Sequence, residues 1–115
     1  MQNQADRVSR ANRFIAAVAH YSEVFVGKDG VGKIFYRDEK LYYRDPRSMA
    51  NVFVQHVFGW RNFSGSESEK RLLIALKNYV EFGRMVSRKT IQNAVKKNAA
   101  SAIHAADFSG IIDAK

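Results

Sequence analysis

The chain has no cysteine. That excludes disulfides, thiolate metal sites and cysteine nucleophiles, and it fits a reducing compartment. One proline among 115 residues and a 46% hydrophobic content argue against global disorder. No apolar run approaches the ~20 residues of a membrane-spanning helix. The polar opening MQNQADRVSR also lacks the apolar centre of a signal peptide. A cytoplasmic protein with no membrane partner is therefore expected. Catalytic signatures are missing as well: there is no H-E-x-x-H and no G-x-S-x-G. His20, His56 and His104 are scattered, and Asp38 and Glu39 are neighbours that cannot face each other as an acid/base pair. The reading is non-enzymatic, with no catalytic residue, no metal site and no cofactor.

Acid is scarce. Eleven Asp and Glu stand against nineteen Lys and Arg, for a net charge of +8. Such a balance attracts polyanions and makes association sensitive to salt. Its distribution is uneven. Residues 28–47 hold six bases, residues 48–69 hold one (Arg61), and residues 70–97 hold eight. Between Glu81 and Asp107 there is no acid, while Arg84, Arg88, Lys89, Lys96 and Lys97 lie in that interval. Clustering of this kind is the electrostatic footprint of a nucleic-acid surface, although basic chains also exist merely as soluble ones.

The length suits one domain, residues 1–115, large enough to bury a core without staples. Asp6 is placed to cap a first helix whose apolar face is Val8, Ala11, Phe14, Ile15, Val18 and Ala19. Arg7, Arg10 and Arg13 recur every three residues, as a solvated face or a phosphate-contacting one. His20 falls near the helix end, where a cation is favoured. Tyr21 to Val26 reads equally as helix end or short strand. Gly27 to Lys33 has the spacing of a phosphate-binding loop, but Ile34 stands where Ser or Thr would hold magnesium, and a strand follows instead of a helix. A turn joining two elements is the better reading. Residues 33–44 form a β-hairpin, with Ile34–Tyr36 and Leu41–Tyr43 as arms and Asp38-Glu39 as the turn. Its aromatics interleave with Lys33, Arg37, Lys40 and Arg44. They either make an amphipathic hairpin with one solvated face, the favoured reading, or stack bases and hold phosphates.

Asp45-Pro46 opens a helix in which Met49, Val52, Phe53, His56, Val57 and Trp60 recur at helical spacing. His56 on that stripe is read as a core histidine. Trp60 to Gly65 is a loop, with Trp60 and Phe63 under the next helix. Ser66 and Glu69 stand in capping-box relation. Leu72, Leu73, Leu76, Tyr79 and Val80 then form one stripe, closed by Gly83 as a left-handed cap. Ser87 caps a further helix that runs through an alanine-rich segment to about Asp107. Its small side chains permit close packing within the protein or across a homodimer.

Trp60, Phe63-Ser64-Gly65, Leu72-Leu73, Tyr79-Val80 and Gly83 together resemble a W-x-x-F-S-G loop, helix and terminal glycine of some small uncharacterised phage and prophage proteins. The resemblance implies a phage-like origin and assigns no role to any residue.

The fold class expected is α+β, mostly helical: a helix, a β-hairpin, then three helices, including a helix-turn-helix-like pair around Gly83. The second helix of that pair has suitable polarity, with Arg88, Lys89, Gln92 and Asn93 able to reach base edges. The turn departs from the usual pattern. Glu81 takes the small-residue position, Arg84 an apolar one and Met85 that of the glycine. The function expected is nucleic-acid binding, DNA ahead of RNA, with a regulatory role. The candidate contacts are Arg84, Arg88, Lys89, Gln92, Asn93, Lys96 and Lys97, with Lys33, Arg37 and Arg44 from the hairpin. The alternative is a phage-type inhibitor or accessory protein that binds a host protein or nucleoprotein complex.

Overall fold

A computed structural model describes residues 3–28, 30–55, 60–106 and 108–113. The first helix, α1 (Gln4–Tyr21), begins at Asn3 rather than at Asp6. Asn3 Oδ1 accepts from the Asp6 N–H at 2.8 Å, and the Asp6 carboxylate reaches back to the Asn3 N–H. Asp6 is thus the third helical residue of a capping box, about one turn inside the observed end at Asn3, and not the cap itself. Arg7 and Arg10 are not a solvated row. Arg7 Nε donates to the Val80 carbonyl at 2.8 Å, and Arg10 donates to the Ser109 carbonyl, so both fasten α1 to distant chain.

Phe25, at φ 64°, turns the chain into β1 (Val26–Gly27), which pairs antiparallel with β2 (Gly30–Val31). A strand follows, as expected, which sets this turn apart from a phosphate-binding loop. Gly27 is required by proximity: a Cβ there would lie 2.2 Å from the Pro46 carbonyl oxygen.

The hairpin forms as read. β3 (Lys33–Arg37) and β4 (Lys40–Arg44) pair antiparallel around Asp38 and Glu39, at φ 51° and 64°. Two consecutive positive φ values are the signature of the tight turn whose twist matches flanking strands. Asn12 of α1 caps the β3 edge, accepting from the Ile34 N–H at 2.8 Å and donating to its carbonyl at 2.9 Å.

The helix expected after Pro46 is absent over the described residues 46–55. Residues 46–48 form a turn, and β5 (Asn51–Phe53) joins β4, giving a three-stranded antiparallel sheet in the order β3-β4-β5. The local chemistry was real: the Asp45 carboxylate accepts from the N–H groups of Arg47 and Ser48, as a helix cap would. Met49 then adopts φ 62°, and the Asp45 N–H donates to the Ala50 carbonyl, so the chain reverses after one turn. The open edge of β4 and the strand-forming Val52 and Phe53 decide the outcome. His56 and Val57 lie outside the described residues.

Asp45 is fully buried, and its carboxylate also accepts from the Ser64 N–H at 2.8 Å and the Ser64 hydroxyl at 3.1 Å. Burial alone would raise its pKa. The hydrogen bonds from Ser64, Arg47 and Ser48 outweigh that and hold the carboxyl below its ordinary range.

Helix α2 (Glu67–Phe82) starts at Ser66, whose hydroxyl accepts from the Glu69 N–H, and ends at Gly83 with φ 71°. The Glu69 carboxylate does not complete a capping box. It is buried, accepts from the Phe25 N–H at 2.7 Å, and pairs with Arg47 at 3.0 Å. Trp60 and Phe63 pack edge to face at 5.2 Å, with Lys70 Nζ over the indole.

The long final helix is two helices. α3 (Arg88–Ala94), capped by Ser87, stops at the extended Val95, and α4 (Lys97–Ala105) begins after the extended Lys96. Alanine propensity alone would continue the helix. The break lets Ile91 and Val95 stay buried while α4 packs on α1. The described part of α4 ends before Asp107, which lies outside the described residues. Three helices therefore follow the sheet, but their identities differ from those expected. Beyond them, Ile111 and Ile112 dock, and the Val86 N–H donates to the Ile111 carbonyl at 2.7 Å. The core joins α1, the inner sheet face (Ile34, Leu41, Tyr43, Val52), α2 and the buried faces of α3 and α4.

Candidate nucleic-acid interface

Strand alternation sorts the sheet residues into two faces. Ile34, Leu41, Tyr43 and Val52 are buried on one. The other carries Lys33, Phe35, Arg37, Lys40, Tyr42, Arg44, Asn51 and Phe53. Ladder pairing turns these into three rows that run across the strands. Phe35 lies opposite Tyr42, and Tyr42 opposite Phe53. On one side Lys33 pairs with Arg44, and Arg44 with Asn51; on the other, Arg37 pairs with Lys40. An aromatic row thus runs between two basic rows.

The rings form a continuous series. Phe35 and Tyr42 are stacked with centroids 5.9 Å apart and planes 21° apart; Tyr42 and Phe53 are 5.7 Å apart and tilted by 43°. Phe53 is 37% exposed, Phe35 and Tyr42 are half-buried, and none of the three belongs to the core or packs against it. The Arg37 guanidinium sits 5.6 Å from the Phe35 ring centre, and Lys40 Nζ lies 5.7 Å from that of Phe53. Cation–π contacts at exposed positions are worth only about 0.5–1 kcal/mol, so these side chains are loosely held. Arg44 makes a long 3.5 Å hydrogen bond to Asn51 Oδ1.

The second cluster is on α3. At about 100° per residue, Arg88, Gln92, Lys89 and Asn93 fall within one arc of about 140°, opposite Ile91 and Ala94. All four are exposed. Lys96 and Lys97 are exposed at the α3–α4 corner instead of continuing this arc. Arg84 is exposed in the linker, its guanidinium 5.4 Å from the Phe82 ring. Near the far end of this region, burial, with the Arg88 charge adding to it, pushes the His104 imidazole below the ordinary histidine range.

The α2–α3 pair is consecutive and packed together, but it is not the standard helix-turn-helix unit. Residues 83–87 separate the helices, longer than the usual three or four. Val86 in that linker is bridged to the C-terminal segment, with the Asp113 N–H donating to its carbonyl at 2.8 Å. At seven residues, α3 is only about 10 Å long.

The sheet carries Lys33, Arg37 and Arg44, whereas Arg84, Arg88, Lys89, Gln92, Asn93, Lys96 and Lys97 belong to the α3 region. The sheet packs on α1, whereas α3 packs on α2 and α4. The ten expected residues therefore form two surfaces. Among the described residues, the ion pairs are Arg47–Glu69, Arg71–Glu67 and Lys77–Glu81, and none involves any of the ten. Sequence reasoning missed Phe53 and Asn51, because their strand was read as helix. It saw Phe35, Tyr42 and Lys40 but not the row they complete. Among the described residues, no helix is long and apolar enough to cross a membrane. The chain matches no protein-family model, no curated protein and no solved structure.

Proposed function

We propose that this protein binds nucleic acid as a non-enzymatic, regulatory factor of the cytoplasm. The observation that carries the reading is that the basic residues expected to make contact are all exposed and free of ion pairs among the described residues. Four of the eleven acids are spent elsewhere: Glu69 and Asp45 are buried, and Glu67 and Glu81 pair within α2. Exposed unpaired cations attract phosphate and release its counterions, so affinity falls as salt rises. The test is a salt titration of binding to DNA and RNA, single-stranded and duplex. A steep linear loss of log affinity with log salt supports the reading. Absence of binding to every form at about 50 mM salt overturns it.

A further inference from the structure

We propose that the outer face of the β3-β4-β5 sheet is a stacking platform for a short unpaired stretch of nucleic acid. The inference rests on the nucleic-acid reading and names the strand form that this face takes. Three features of the face point there. It presents three aromatic rings in a row, at 5.9 and 5.7 Å spacing, outside the core. Cations flank the row on both sides, Lys33 with Arg44 and Arg37 with Lys40, two residues or roughly 7 Å along each strand from the rings. Of the acids nearest in sequence, Asp38 and Glu39 are confined to the turn at one end, and Asp45, next to Arg44, is fully buried.

The chemistry selects the occupant. Aromatic faces accept the π-face of any base, whereas a duplex keeps its base faces against one another. A shallow sheet face inserts nothing into a major groove, so duplex would meet the cations and leave the rings unused. A single strand crossing β3, β4 and β5 would lay about two or three bases on the row, the load such aromatic sheet platforms carry. Its phosphates would follow one basic row, and the opposite row would meet base edges. Arg37 and Lys40 now rest over Phe35 and Phe53. In the complex they would swing to phosphate, leaving ring faces for bases. An apolar protein partner fits less well, since four cations border the rings and would have to be desolvated.

The test uses the full chain and fluorescence anisotropy with labelled oligothymidylate and oligouridylate of about 12 nucleotides, against a duplex of equal length. Single strands should bind at least tenfold more tightly than duplex. Tyr42→Phe, which keeps the ring, should bind within twofold of wild type. Tyr42→Leu, apolar but without a π-face, should lose about tenfold. Phe53→Leu, at the more exposed end of the row, should act in the same direction and covers the case that Tyr42→Leu fails to fold. An oligonucleotide carrying 2-aminopurine should change fluorescence on binding to wild type, and by less at saturation with Tyr42→Leu, which keeps the rings of Phe35 and Phe53. Equal affinity for single strand and duplex, with Leu variants unchanged, overturns the platform and leaves the nucleic-acid reading standing. Duplex preference lost in Lys89→Glu with Lys96→Glu overturns it in favour of α3. No binding to any form overturns both.

Discussion

On the sheet, Lys33, Arg37, Lys40 and Arg44 project from paired strands whose ladder sets their spacing. On α3, Arg88, Lys89, Gln92 and Asn93 stand on a seven-residue helix between two corners. Both regions are basic and exposed, but they differ in what accompanies the charge. The sheet interposes three rings between its cations; the α3 arc interposes amides and is backed by buried Ile91. Charge alone does not choose between strand forms, because every nucleic acid has phosphates. What stands between the charges does: rings favour exposed base faces, and amides favour base edges in a groove.

The sharpest way to break this comparison is to remove what holds β5 on the sheet. Asp45→Ala should destabilise the protein by about 3 kcal/mol, since it removes a buried carboxylate that accepts from four part-buried donors on Arg47, Ser48 and Ser64. Urea unfolding would show it as a lower midpoint. The α3 region, packed on α2 and α4, would be affected only through global unfolding. An unchanged midpoint would mean that Asp45 does not secure the β4–β5 connection.

The same carboxylate gives a pH dependence with a definite sign. Its folded pKa lies below the ordinary value, so its contribution is present above the unfolded carboxylate pKa of about 3.9. The contribution fades as pH falls through the folded pKa. Thermal midpoints of wild type and Asp45→Asn should therefore differ at neutral pH and converge in acid. A constant gap down to strong acid would contradict this.

Charge reversal then separates the two surfaces. Lys33→Glu with Arg44→Glu should weaken single-strand binding at least tenfold, about 1.4 kcal/mol. Circular dichroism should stay unchanged, because both positions are exposed. A smaller effect is expected from Lys89→Glu with Lys96→Glu: a few-fold weakening and a shallower salt slope, with the preference for strand form unaltered. If the α3 pair costs more than the sheet pair, the ranking of the surfaces reverses.

Much of this was legible in the residues. The two-residue turn at Asp38-Glu39 sets the hairpin register, so Phe35 opposite Tyr42 follows from the chain itself. Ser66 and Gly83 bound α2, and Ser87 starts α3, because each provides a local hydrogen bond or a permitted φ. Phe53 was hidden for a specific reason. Asp45-Pro46 and the spacing of Met49, Val52 and Phe53 satisfy a helix, whereas Val52 and Phe53 also satisfy a strand, and short apolar runs do not arbitrate. Glu69 misled in the same way: its spacing from Ser66 is that of a reciprocal cap, but Arg47 and the Phe25 N–H claim its carboxylate from far along the chain.

By itself the sequence determined the α+β class, the hairpin and its register, the caps of α2 and α3, and the surplus of positive charge. All of these depend on residues close together in the chain. Tertiary structure decided the rest. The unpaired edge of β4 drew residues 51–53 out of a helix, the packing of α4 on α1 broke the helix at Val95, and Arg7 and Arg10 became fasteners instead of a solvated face. Each outcome turns on a partner many residues away, whose position no local pattern encodes.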